Sequence, residues 1–154
     1  MMPSEALNYP PVAFHFTVAF GTQSQNIDAS FREVSGIGPE IETEPLNEGG
    51  ENRYVLQLPK AVKHPRLVLK RGIAPRNSPL VKWCQQTLEQ GLSQPIVPKS
   101  MNVFLLDQDA QPLAAWFIAN AYPVKWEIEG FDATKNAVAV ERVELVYAFS
   151  KRDR

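Results

Sequence analysis

The sequence predicts a mainly β domain, an antiparallel two-sheet sandwich or barrel with one flanking helix and a projecting β-hairpin. Three observations predict it. Apolar and polar residues alternate with period two along most of the chain, only one stretch carries helix punctuation, and the last long strand changes its apolar parity midway. The 154 residues fit a single domain over 1–154, and with 44% hydrophobic residues they supply a core without staples.

Residues 1–11 are polar and contain proline, and are expected to be a flexible N-terminal segment. They have no basic n-region and no apolar h-region, so no signal peptide is predicted. The first strand then places Phe14, Phe16, Val18 and Phe20 against His15, Thr17 and Ala19, and residues 21–25 turn. A second strand over 26–34 directs Ile27, Ala29, Phe31 and, at the same spacing, Glu33 to one side and stops at Ser35-Gly36-Ile37-Gly38-Pro39, which must bend. Residues 40–46 alternate again, Asn47-Glu48-Gly49-Gly50-Glu51-Asn52 forms a tip, and Tyr54, Leu56 and Leu58 begin the return. This hairpin is expected to project.

A loop over 59–65 leads to a strand over 66–73. The helix follows, with Asn77 or Ser78 as its cap, Pro79 at the first helical position, an apolar stripe of Leu80, Val81, Cys84 and Leu88, and Gly91 to end it. After a loop over 93–98 come strands over 101–106, 113–119, 124–129 and 137–149, with a turn over 107–111. Parity in the last strand runs Val138, Val140 and then Val143, Leu145, Tyr147, Phe149. A pleated strand changes its core face only through an extra residue, which predicts a β-bulge or a crossing between two sheets at Glu141-Arg142.

The formal charge of −1 gives no basic field for nucleic acid, and no apolar run reaches the roughly 18 residues of a membrane span. The single Cys84 excludes an internal disulfide and fits a chain folding in a reducing cytosol. Chemistry is hard to find. His15 and His64 have no Asp, Cys or second His at ligand spacing, so no metal site is expected. Gly36-Ile37-Gly38 is followed by Pro39 and an extended segment, not a helix, and no serine sits in a Gly-x-Ser-x-Gly elbow. No cofactor and no catalytic residue are predicted. Trp83, Trp116, Tyr122, Trp126 and Tyr147 read as core rings, with Trp83 or Tyr122 lining a groove if the chain were instead a monomeric β-sandwich binding a carbohydrate or peptide.

Charge blocks are the best constellation. Glu40, Glu42, Glu44, Glu48 and Glu51 lie together without a base and flank Gly49-Gly50; Lys60, Lys63, Arg66, Lys70 and Arg71 lie together without an acid. Either the blocks neutralise each other within one chain, or they are complementary patches that join copy to copy, head to tail. An unpaired hairpin edge also calls for cover, which a neighbouring copy supplies.

Ordered along the chain from about Val12 to Arg152 stand Phe14-His15-Phe16-Thr17-Val18, Phe31-Arg32-Glu33-Val34-Ser35-Gly36-Ile37, the arm tip with Arg53-Tyr54 and Leu58-Pro59, and Leu67-Val68-Leu69-Lys70-Arg71-Gly72. They continue through Trp83, the strand from Val103 to Asp107, Trp116, Asn120-Ala121-Tyr122-Pro123-Val124-Lys125-Trp126, Phe131-Asp132-Ala133, the run from Asn136 to Glu141, and Glu144-Leu145-Val146-Tyr147. This series resembles the tail tube proteins of contractile phage tails and related contractile injection particles. The resemblance implies a structural, non-enzymatic subunit: six copies in a ring, rings stacked into a hollow conduit inside a contractile sheath, and partners among other tube, baseplate hub and sheath proteins. It further implies assembly in the bacterial cytoplasm, no membrane contact by this chain, and a lumen cargo of DNA in a phage or a protein effector in an injection particle. The hairpin from Glu40 to Tyr54 would contact neighbouring copies. The loop over 59–65 and the long connection over 93–98 point to the baseplate-proximal tube initiator.

Overall fold

In the computed structural model, residues 14–21, 27–46, 55–74, 77–130, 134 and 139–154 are described. Ten strands and one α-helix follow in the order β1 His15–Phe20, β2 Ile27–Phe31, β3 Glu33–Ser35, β4 Glu40–Leu46, β5 Leu56–Lys63, β6 Leu67–Gly72, α1 Pro79–Glu89, β7 Lys99–Leu106, β8 Pro112–Glu129, β9 Val140–Val146 and β10 Phe149–Arg152. All pairings are antiparallel, as expected. The expected N-terminal segment, the 22–25 part of the first turn and the arm tip lie outside the described residues.

One continuous ladder runs β2-β1-β7-β8-β9-β6-β3, with β10 on β8. It makes two layers because β8 belongs to both. Residues 112–121 of β8 pair with β7, and its later part pairs with β9. Asn120 (φ 52°) and a register shift between Pro123 and Lys125 bend the strand between them. At the other side, the Arg32 amide donates to the Lys70 carbonyl at 2.9 Å, tying the β2–β3 junction to β6. Between the layers lie Val18, Phe20, Leu67, Leu69, Met101, Val103, Ile118, Val143 and Leu145, all buried. Each such side chain contributes roughly 1.5–3 kcal/mol by leaving water.

The helix follows its signals. Ser78 is the N-cap, its Oγ accepting from the Val81 amide at 3.3 Å, Pro79 opens the first turn, and Leu80, Val81, Trp83 and Cys84 are buried. Burial pushes the Cys84 thiol up to about 12, as for an inert core sulfhydryl.

Five expectations are corrected. The extra residue expected at Glu141-Arg142 is absent: β9 pairs with β6 without a shift from Val140 to Leu145. The layer crossing sits instead in β8, which fuses the two strands expected over 113–119 and 124–129. Parity in β9 is constant because Ala139, Glu141, Val143, Leu145 and Tyr147 all face inward; Glu141, 2% exposed, occupies a core position. In the second expected strand, Ile27, Ala29 and Glu33 are exposed, while Asp28 and Phe31 are buried. Ser30 at φ 68° and a shift against β1 between Phe16 and Val18 break the simple alternation. Finally, the expected loop over 59–65 is largely strand, since β5 continues through Pro59 to Lys63. A proline without an amide proton is tolerated there because Pro59 borders a register shift, with Ile41 opposite Val62 but Thr43 opposite Pro59. The single strand expected over 137–149 also ends at Val146, and β10 starts after a bend.

Candidate functional site

β4 and β5 form a separate two-stranded sheet, and every one of their residues is exposed. This arm leaves the barrel through a pinned root. Tyr147 Oη donates to the Gly36 carbonyl at 2.6 Å and accepts from the Gly38 amide at 3.1 Å, and its ring lies 5.2 Å from that of His64, just past β5. At Gly36 (φ +88°) an added Cβ would stand 1.9 Å from the Arg66 carbonyl, so only glycine lets the chain turn here.

The register shift sorts the arm's side chains. Residues opposite or two apart share a face. Ile41, Thr43 and Pro45 therefore lie with Val62, Pro59 and Gln57, a face without charge. Lys60 lies within the shift, and its charge acts on the Glu42 carboxyl, which sets it with Glu40, Glu42, Glu44 and Lys63 on the other face, a face that gives way toward the tip to Leu46, Leu56 and Leu58. Ile41 is 55% exposed and Val62 59%. A lone hairpin with apolar side chains in water on both faces is marginal at best.

Of the sequence-predicted residues, Glu40, Glu42 and Lys63 come together within the arm: Lys63 Nζ lies 2.6 Å from Glu42 and 3.3 Å from Glu40. The hydrogen bond from Lys63 and then its charge hold the Glu42 carboxyl below the usual range, and the bond to Glu42 raises Lys63. Glu44 and Lys60 are exposed without an ion-pair partner among the described residues. Glu48, Gly49, Gly50 and Glu51 lie outside the described residues. Arg66 and Lys70 belong to the barrel, 3.6 Å from Glu144 and 3.8 Å from Glu129 respectively.

Arg71 is the exception in the basic block, because it is buried. Its Nε donates to Glu141 Oε2 and its Nη1 to Asp28 Oδ1, both at 2.8 Å, its Nη2 donates to Ser78 Oγ at 2.9 Å, and its guanidinium sits 4.4 Å over the Phe31 ring. Two carboxylates face one cation, and neutral donors take up the remainder: the Leu80 amide at the helix N-terminus bonds Asp28 Oδ2 at 2.9 Å, and Trp126 Nε1 bonds Glu141 Oε1 at 2.7 Å. This node joins β2, β6, β9, the α1 cap and β8. Sequence reading placed Arg71 in a surface patch. The signal it missed was an acid, Glu141, at a position whose neighbours two residues away, Ala139 and Val143, are apolar; Asp28, with Asn26 and Ser30 at that spacing, offered no such signal.

A cleft of about 420 Å³ lies between the C-terminal half of α1 and residues 94–98, lined by Trp83, Gln86, Gln90, Ile96 and Lys99 among others. Trp83 is not an open platform there: it is 4% exposed and stacks on Phe20 with centroids 5.2 Å apart. Tyr122 packs partly buried against the core. Neither ring therefore offers the open stacking surface that carbohydrate or peptide binding required. Among the described residues no group of three His, Cys, Asp or Glu could hold a metal, and no helix is long and apolar enough to cross a membrane.

Residues 12–150 match the family described as T4-like virus tail tube protein gp19. Among solved structures, a chain of the anti-feeding prophage baseplate, determined with sixfold symmetry, is similar at 26% identity over 94% of this chain and 96% of that one, with a TM-score of 0.64. A chain of the sheath–tube complex of the PVC extracellular contractile injection system, in its extended state, is 23% identical over 99% of this chain and 97% of that one (TM-score 0.67). Hcp1 from Salmonella typhimurium shares the fold at 14% identity over 92% and 86% (TM-score 0.53). No curated protein matches the chain at a significant level.

Proposed function

The chain belongs to the T4-like virus tail tube protein gp19 family, and from that premise we propose that six copies form a ring, that rings stack into the hollow inner tube of a contractile injection particle or phage tail, and that this chain sits at the baseplate end as the tube initiator. The observation that carries the reading is the arm: a hairpin with both faces in water, rooted firmly on the barrel by Gly36 and Tyr147. Such an element gains its stability from another molecule, and a head-to-tail contact between copies closes into a ring. The charged residues Glu40, Glu42, Glu44, Glu48, Glu51, Lys60 and Lys63 then border the contact, with Gly49-Gly50 at the tip, and Arg66, Lys70 and Arg71 act on the barrel side, Arg71 from within. Partners are other tube, hub and sheath proteins, and the conduit carries DNA or a protein effector with no turnover step.

Support for the baseplate end is the likeness to the anti-feeding prophage baseplate chain. The proline-bearing 59–65 stretch no longer argues for it, being mostly strand. The test is native mass spectrometry and negative-stain microscopy of the purified chain. Six-membered rings are expected, and a variant with Glu40, Glu42 and Glu44 all changed to Lys should remain folded but monomeric, since Lys63 then faces like charges. A wild-type chain that stays monomeric at high concentration and beside its sheath and hub proteins overturns the reading. The initiator position fails if particles lacking this chain still grow full-length tubes.

A further inference from the structure

The two outward faces of the barrel differ in kind. On the second layer, acids and bases interleave across β3, β6, β9 and β8: Arg142 lies 3.7 Å from Glu129 and 3.5 Å from Glu144, and Lys125 lies 3.7 Å from Glu144. Such a lattice is content in water. On the first layer, pairing and period place Phe104, Ala115, Phe117, Ala119 and Phe149 on the side opposite the core. The Phe117 and Phe149 rings meet at 6.2 Å, Phe149 is 50% exposed, and Lys151 is the one charge that the described strands add there. An aromatic sheet face of this composition marks an interface.

We propose that the charge-free face of the β4–β5 arm of one copy lies on this aromatic face of β7, β8 and β10 of a second copy. The inference rests on the ring reading and names the surfaces that make it. A second copy is the occupant for two reasons. Each chain exposes both an uncharged donor face, with Ile41 and Val62, and an aromatic acceptor face, with Phe117 and Phe149, so identical copies complete one another in series. Charge adds to this: the described arm carries three acids against two bases, with Glu44 unpaired among the described residues, while the strands of the acceptor face contribute Lys151.

The full chain with Val62→Cys and Phe149→Cys tests this, the buried Cys84 being left in place and the two single variants serving as controls. Under mild oxidation, the double variant is expected to give a covalent ladder ending at the ring size, and the single variants none. Phe149→Glu, at a half-exposed position, is expected to keep its circular dichroism and lose its rings; Val62→Glu should do the same. Rings that form without a ladder, or that persist in Phe149→Glu, overturn this contact while leaving the ring reading intact. Rings of Phe149→Glu that no longer bind sheath would assign the aromatic face to the sheath and overturn it equally. A wild-type chain that forms no ring removes both.

Discussion

A single arginine explains why acids hold buried positions on β2 and β9. Arg71 faces inward on β6, continuing the series Leu67, Leu69, Arg71, and a buried guanidinium must be paired. Asp28 on β2 and Glu141 on β9 are therefore buried against it, Glu141 in line with apolar Ala139 and Val143, and Ser78 supplies a hydroxyl while capping α1. Removing the cation alone leaves two buried carboxylates without a counter-charge. Arg71→Met is expected to cost about 3–5 kcal/mol, read as a lowered urea midpoint at unchanged slope. Replacing all three charged residues together, Arg71→Met with Asp28→Leu and Glu141→Met, should recover much of that loss, because the penalty comes from unpaired charge and not from missing attraction. If Arg71→Met unfolds at the wild-type midpoint, the node does not hold the layers together.

At the scale of elements, the sequence was most legible where one local rule decided the outcome. The Ser78-Pro79 start and the Leu80, Val81, Cys84 stripe define α1 without reference to anything else. The arm was legible too, through alternation on either side of a Gly-rich tip. What escaped is non-local: the Glu141 parity depends on Arg71, 70 residues away in sequence, and the two-layer role of β8 depends on β9 and β7 pairing along one strand. Pro59 misled because a proline normally ends a strand, and only the register against β4 reveals the shift that accommodates it. The uncharged arm face was hidden for the same reason, since that shift decides on which side Lys60 falls. The arm also has its own pH signature. The Glu42 carboxyl is held below its unfolded range, so its pairing with Lys63 is present above about pH 4.5 and is lost as pH falls through the lowered value. Lys63 is raised above its unfolded 10.5, so at the alkaline end the pair persists until pH passes that raised value. Carboxyl carbon shifts of Glu42 followed by NMR should titrate below 4.5, and Lys63→Gln should bring Glu42 back toward 4.5; an unchanged Glu42 titration in Lys63→Gln would refute the pairing. Because the pair is fully exposed, its loss should leave global unfolding nearly unaffected.

For the whole molecule, the question is which force joins copies. Had the two charge blocks met as opposed patches, assembly would be an electrostatic event. The bases are largely spent within the chain instead: Lys63 on Glu40 and Glu42, Arg66 on Glu144, Lys70 on Glu129, and Arg71 inside the barrel. The exposed apolar residues of the arm and the Phe117–Phe149 face remain as the larger unpartnered surfaces among the described residues. Charge then steers the approach and apolar burial holds the contact. The two can be separated by salt, because the screening length falls from about 10 Å at 0.1 M to about 3 Å at 1 M, while apolar burial is not screened. Rings of the purified chain, followed by analytical ultracentrifugation, are therefore expected to survive 1 M sodium chloride and to form more slowly in it. Sodium sulfate, which strengthens effective burial, should stabilise them further. Dissociation into monomers between 0.1 and 1 M sodium chloride would return the charge blocks to the centre of the interface and displace the apolar arm from it.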